Sequence, residues 1–110
     1  MEAKATVKTV RITPRKVRLV IDEVRGKSVD EALALLANTN TSASPVVAKL
    51  IKSASANASK NHEMDATKLY VKEIFANDGI RMRRFMTRAK GSASGLVKRT
   101  CHITCIVAER

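Results

Sequence analysis

Aromatic side chains are what this chain has least of: Tyr70, Phe75 and Phe85 are the only three in 110 residues, and there is no Trp. A sheet that binds nucleic acid by stacking bases needs several exposed rings, so the shortage argues against that class of binder. It also means the core is built from Val, Leu, Ile and Ala, which keep the hydrophobic fraction at an ordinary 45%. Long apolar runs are missing too. None approaches the roughly 18 residues of a membrane span, and the start, Glu2-Ala3-Lys4, lacks the apolar segment of a signal peptide. Histidine is limited to His62 and His102, and neither has an acid–nucleophile arrangement beside it in sequence. There is no P-loop and no GxGxxG. The pairs Asp22-Glu23 and Asp30-Glu31 read as helix solvation and capping, so the chain is expected to have no catalytic residues and no cofactor.

Cysteine is nearly absent as well. Cys101 and Cys105 sit four apart in an expected strand, roughly 13 Å from each other, which is too far for a bridge. They read as reduced core thiols of a cytoplasmic protein. The run Cys101-His102-x-x-Cys105 suggests zinc, but a strand turns His102 to the opposite face from both thiols and offers no fourth ligand, so no metal is expected.

Acidic residues are the last shortage: 10 against 21 Lys and Arg, a net charge of +11 and a pI near 10.3. Such a charge calls for a polyanionic partner, most often nucleic acid. The excess is uneven. Residues 1–27 carry eight basic and three acidic groups, residues 28–79 five and six, and residues 80–110 eight and one. Two basic ends thus flank a near-neutral middle.

The length fits one domain spanning 1–110. Residues 4–12 are rich in Val, Thr and Ile and predict an edge strand. Thr13-Pro14 predicts a helix start with a hydroxyl N-cap. Val17, Val20, Ile21 and Val24 then fall on one helical face, with Arg15, Arg18, Asp22 and Arg25 on the next, until Gly26 ends the helix. Ser28 to Glu31 is a capping box, and the ALALLAN that follows predicts a helix buried on most sides. Ser44-Pro45 predicts a third helix to about Lys60, with Val46, Val47, Leu50, Ile51, Ala54 and Ala58 as its stripe. Residues 68–76 predict a strand, Asn77-Asp78-Gly79 a turn or bulge. Residues 100–107 predict a strand with Cys101, Ile103, Cys105 and Val107 facing the core. The order implies an α+β domain: three helices packed on one face of a small three-stranded antiparallel sheet.

One stretch stays outside that domain. Residues 80–99 hold seven basic residues and no acidic one around the small, turn-prone centre 90–95. They predict a long β-hairpin. Fully extended, the arm from Asp78 to Lys90 spans roughly 40 Å, so it protrudes, and a two-stranded ribbon is marginal alone in water. It is expected to be ordered by a polyanion.

Four motifs in order now carry a family resemblance. Lys16-Val17-Arg18-Leu19-Val20 with Arg25-Gly26-Lys27 resembles the first helix of the bacterial large-subunit ribosomal protein family L-twenty-two. Ser53-Ala54 with Ala56-Asn57-Ala58 resembles its long helix. Arg88-Ala89-Lys90-Gly91-x-Ala93 is similar to its hairpin tip, and Lys98-Arg99-Thr100-x-His102-Ile103-Thr104 to its returning strand. Thr87 stands where that family commonly has a proline.

The resemblance implies binding to large-subunit rRNA, a part in early subunit assembly, and a hairpin lining the nascent-peptide exit tunnel near the macrolide site. The rRNA-binding set it implies is Lys8, Arg11, Arg15, Lys16, Arg18, Arg25 and Lys27 in the globular part, with Arg81, Arg83, Arg84, Arg88, Lys90, Lys98 and Arg99 on the arm. The tunnel-facing tip would be Arg88, Ala89, Lys90, Gly91, Ser92 and Ala93. Implied partners are the rRNA, neighbouring ribosomal proteins, the passing nascent peptide and nearby macrolides, with no membrane and no homo-oligomer. The alternatives are a general nucleic-acid-binding protein outside the ribosome and a cationic membrane-surface protein.

Overall fold

The computed structural model describes residues 2–87, 91 and 93–109, without the side chains of residues 66, 84–87, 93, 94 and 96. The chain runs β1 (Glu2–Val10), α1 (Pro14–Val24), α2 (Val29–Asn38), α3 (Ser44–Asn61), a 3-10 turn (Ala66–Lys68), β2 (Leu69–Asp78), β3 (Met82–Thr87), β4 (Ala93–Lys98) and β5 (Cys101–Glu109). The sheet β1-β5-β2 is antiparallel, and β3 pairs with β4 in a second, two-stranded sheet. This is the expected α+β architecture, with the basic stretch forming the separate ribbon. The molecule measures 62 × 26 × 16 Å.

Alternation along β5 decides how the layers meet. Cys101, Ile103, Cys105 and Val107 are fully buried, while His102, Thr104 and Ile106 on the other face are only half-buried. β1 contributes Ala3 and Ala5 to the buried face, and β2 contributes Leu69, Val71, Ile74 and Ala76. α1 lays the stripe Val17, Val20, Ile21 and Val24 against β2. α3 lies across β1 and β5, with Val47, Leu50, Ile51, Ala54 and Ala58 inward. Its small residues allow a close approach, and Asn57 Nδ2 reaches the Lys4 carbonyl at 3.2 Å.

Several local expectations are corrected. Thr13 sits at the N-cap of α1 in extended geometry, but its hydroxyl makes no capping bond. The first-turn amides of Lys16 and Val17 instead reach the Thr13 carbonyl at 3.1 and 3.3 Å. Ser44 is the first residue of α3, not its cap, and shares a 2.7 Å hydrogen bond with the Thr41 hydroxyl. Ser28 does cap α2, accepting from the Glu31 amide at 3.3 Å.

α2 is far less enclosed than its composition suggests. Only Val29, Ala32 and Leu36 are buried, Leu33 and Leu35 are half-buried, and Ala34 and Ala37 are exposed. It packs chiefly on α3, at the margin of the layer, so one side stays open.

β1 spans 2–10 where 4–12 was expected, because its pairing shifts between Val7 and Val10 and Thr9 adopts a left-handed φ of 56°. A β-branched residue in that region is strained, and His102 meets it: Nδ1 accepts the Thr9 amide at 2.9 Å. β2 carries a bulge between Val71 and Glu73.

The link from sheet to ribbon is tight. Thr100, expected on the outer face, is 1% exposed. Its carbonyl accepts the Gly79 amide at 2.9 Å and its hydroxyl donates to the Ile80 carbonyl at 2.7 Å. A Cβ at position 79 would lie 2.5 Å from the Thr100 hydroxyl oxygen and 3.2 Å from its carbonyl carbon, so glycine is required there by contact.

Candidate nucleic-acid interface

α1 is where the two basic ends of the chain meet. Pro14 starts it immediately after Arg11-Ile12-Thr13, which places Arg15 and Lys16 in its first turn, beside the end of β1. From the far end of the sequence, β4 returns through Val97 and Lys98 to Arg99 and enters β5. The result is a shallow cleft of about 280 Å³ lined by Arg11, Ile12, Thr13, Lys16, Ser42, Val97, Lys98 and Arg99. A second cleft adjoins it through Thr13, Lys16 and Arg99 and continues to Arg15 and Leu19. Five of the expected site residues therefore line one groove: Arg11, Arg15, Lys16, Lys98 and Arg99. Among the described residues, no acidic one lines it.

Among the described residues, Asp78 brings a carboxylate to this root and pairs with two of its arginines. Asp78 Oδ1 accepts from Arg99 Nη2 at 3.2 Å, and Oδ2 lies 4.0 Å from Arg81. All three side chains are substantially exposed. Such pairs contribute little to stability; this one places the Asp78 carboxylate beside the Arg99 guanidinium that lines the groove.

Two other expected site residues are engaged elsewhere. β2 is an edge strand, and α1 seals its outward carbonyls. Arg18 donates to the Ala76 carbonyl from Nη2 and Nε at 2.9 and 3.2 Å. Arg25 donates to the Ile74 carbonyl at 2.8 Å while paired with Asp22 at 2.7 Å. The Gly26 amide donates to the Val71 carbonyl, and the Val71 amide to the Lys27 carbonyl, both at 2.9 Å. Arg18 and Arg25 thus bind backbone and cover an edge that would otherwise be open to pairing. Arg25 and Lys27 also lie at the end of α1 away from the groove. Lys8 is exposed on β1 and lines neither cleft.

On the ribbon, Arg83 pairs in register with Val97, Arg84 with Leu96 and Met82 with Lys98. Arg81, Arg83 and Lys98 are exposed. Ala93, Ser94 and Gly95 belong to β4, opposite Thr87, Met86 and Phe85, so the turn is shorter than the 90–95 expected from composition. Gly91 has φ +73°, a left-handed turn conformation suited to glycine. Arg88, Ala89, Lys90 and Ser92 lie outside the described residues.

Sequence reading missed Asp78 as the partner of Arg99, and Thr13, Ser42, Leu19 and Val97 as groove walls. Leu19 carried a signal: it is a large aliphatic residue off the buried stripe of α1, and it is 66% exposed.

The thiols and histidine are also placed. Cys101 and Cys105 are buried free thiols, and burial pushes both upward in pKa, Cys105 to about 12. No described helix is long and apolar enough to cross a membrane.

Comparison with known proteins agrees with the motifs. The family described as Ribosomal protein L22p/L17e matches residues 5–108. The chain is 56% identical over 110 residues to the large ribosomal subunit protein uL22 of Oceanobacillus iheyensis, covering all of this chain and 97% of that protein. It is equally identical to the uL22 protein of Macrococcus caseolyticus, covering 89% of it. With the family pattern spanning nearly the whole chain, and with full-length relatives at this identity, the protein belongs to the L22p/L17e family of ribosomal proteins.

Proposed function

We propose that this chain is a structural component of the large ribosomal subunit in the cytoplasm, binding large-subunit rRNA through the hairpin root and arm. The observation that carries the reading is the convergence of the two basic ends of the sequence on one acid-free groove. All three segments contribute to the core, and the cations of the two basic ends are left on the surface for the partner. Binding is by neutralisation of phosphates, with arginine forks suited to bidentate contact. Arg81, Arg83 and Arg84 extend that surface from the groove's Lys98 and Arg99 onto the ribbon, and Arg88 and Lys90 complete the proposed rRNA-binding set. The segment Arg88–Ala93 is assigned to the exit tunnel, close to the nascent peptide and the macrolide site. Neighbouring ribosomal proteins cover other surfaces, and early binding of the protein helps the subunit assemble. Membership in a ribosomal protein family supports each of these assignments.

The test is competition binding of the full chain to large-subunit rRNA against unrelated duplex DNA at moderate salt. Preference for the rRNA is expected, with log Kd rising with log salt at a slope of at least about 4, the share of the five groove cations alone. Equal affinity for both would sink the ribosomal reading in favour of a general nucleic-acid binder. Co-sedimentation of the endogenous protein with large subunits, persisting in high salt, is the corresponding result in extracts.

A further inference from the structure

Phosphate neutralisation accounts for the cations of the root groove but not for its aliphatic walls. Of the four large hydrophobic side chains that stand out as exposed among the described residues, three sit at the hairpin root: Leu19 (66%), Ile80 (65%) and Val97 (52%). Val97 lines one cleft with Arg11, Lys16, Lys98 and Arg99, and Leu19 lines the adjoining one with Arg15, Lys16 and Arg99. A duplex presents phosphates and riboses on its outside and gives such side chains nothing apolar to cover. A base outside the helical stack does, because its face is apolar while its own phosphates stay charged.

Arg99 supplies the third ingredient. Its guanidinium is a flat cation suited to stacking on a ring. Its Nη2 donates to Asp78 at 3.2 Å, and it lines both adjoining clefts. The Thr13 and Ser42 hydroxyls add neutral hydrogen-bonding groups on the wall. The adjoining clefts, about 280 and 450 Å³, are in the size range of small-ligand sites.

From this we infer that the root groove holds an unpaired RNA nucleotide, its base against the Arg99 plane and the Leu19 and Val97 side chains, its flanking phosphates on Arg11, Lys16 and Lys98. The inference rests on the RNA-binding reading above and adds that one part of the interface reads a splayed base. It gives a protein poor in aromatic rings a base-holding site built from aliphatic and guanidinium surfaces.

The experiment uses the full chain and transcribed large-subunit rRNA, with Kd measured across a salt series and nucleotide-resolution chemical probing of the complex. In the double variant Leu19→Ser, Val97→Ser, affinity is expected to fall roughly tenfold while the salt slope is unchanged, since no cation is lost. Protection should disappear at one or two unpaired nucleotides and remain elsewhere. In Lys16→Gln, affinity should fall with the slope shallower by about one and the protection pattern retained. Both changed apolar residues are more than half exposed, and an unchanged thermal unfolding midpoint establishes that the fold is intact. If the double variant binds with wild-type affinity and an unaltered footprint, the groove touches only backbone and the inference is overturned, with rRNA binding itself untouched. If the wild-type protein shows no preference for rRNA over duplex DNA, it is the RNA reading that fails.

Discussion

The molecule contains two antiparallel sheets that share a junction and almost nothing else. In β1-β5-β2, one face lies under α1 and α3, and β5 buries every second side chain from Cys101 to Val107. The exposed edge of β2 is closed by Arg18, Arg25 and the 26–27 backbone. In β3-β4, six residue pairs form the same kind of ladder, yet Val97 stands 52% exposed, and among the described residues no helix packs extensively on the ribbon. Backbone hydrogen bonds are common to both, so they cannot account for any difference in persistence. Burial does, at about 25 cal/mol per Å² of apolar surface removed from water. The first sheet is held by its own chain, whereas the second is proposed to be held by RNA.

Amide exchange should show the largest separation. Amides of β5 paired with β2 are expected to exchange only through global opening, and amides paired between β3 and β4 close to the rate of an open chain. Adding rRNA should slow the ribbon amides alone. Strong protection of the β3-β4 amides in the free protein would break the comparison, because the ribbon would then be stable without a partner.

Side-chain truncation gives the next largest effect. Ile103 is fully buried in the first sheet, and Ile103→Ala is expected to cost about 2–5 kcal/mol in urea unfolding. Val97→Ala, in a strand of the same type, is expected to change stability by less than about 0.5 kcal/mol.

The two kinds of arginine sharpen the contrast further. Arg18→Ala and Arg25→Ala should each lose about 1 kcal/mol of stability, because each strands a β2 carbonyl. Lys98→Gln should leave stability unchanged and flatten the salt dependence of RNA binding by about one unit of slope. A stability loss at Lys98 equal to that at Arg18 would mean that the groove cations are structural.

What the sequence discloses follows the range of the physics involved. The stripe of α1, the stripe of α3 and the alternation of β5 are local periodicities set by burial on one side, and each is legible residue by residue. α2 misleads because composition alone cannot tell a central helix from a marginal one; only its place beside α3 leaves Ala34 and Ala37 open. Thr13 and Ser44 look like caps, but whether a hydroxyl closes its bond depends on a dihedral and a neighbour such as Thr41. Arg18 and Arg15 are indistinguishable by spacing, yet one reaches a β2 carbonyl 58 positions away and the other lines a groove. The groove itself needs residues 11–19 and 97–99 in one place, a closure that charge counting along the chain does not contain.

The smallest expected effect uses pH. Cys105 is buried in the first sheet with its thiol pKa pushed to about 12 by desolvation, above the ordinary value near 9. The folded state therefore binds a proton that the unfolded state has released between those values. The resulting stabilisation is complete below about pH 9 and is lost as pH rises toward 12. By about pH 9.5 the loss from this thiol is about 1 kcal/mol, and Cys105→Ala should be less stable than wild type at neutral pH but lose less as the pH is raised. A cysteine placed on the ribbon by Val97→Cys has no such burial. It should add no pH dependence of its own and react with iodoacetamide at the rate of a free thiol, while Cys105 reacts only when the domain opens. Equal labelling of the two positions would show that the core sheet opens as readily as the ribbon, and the distinction between the two sheets would fall with it.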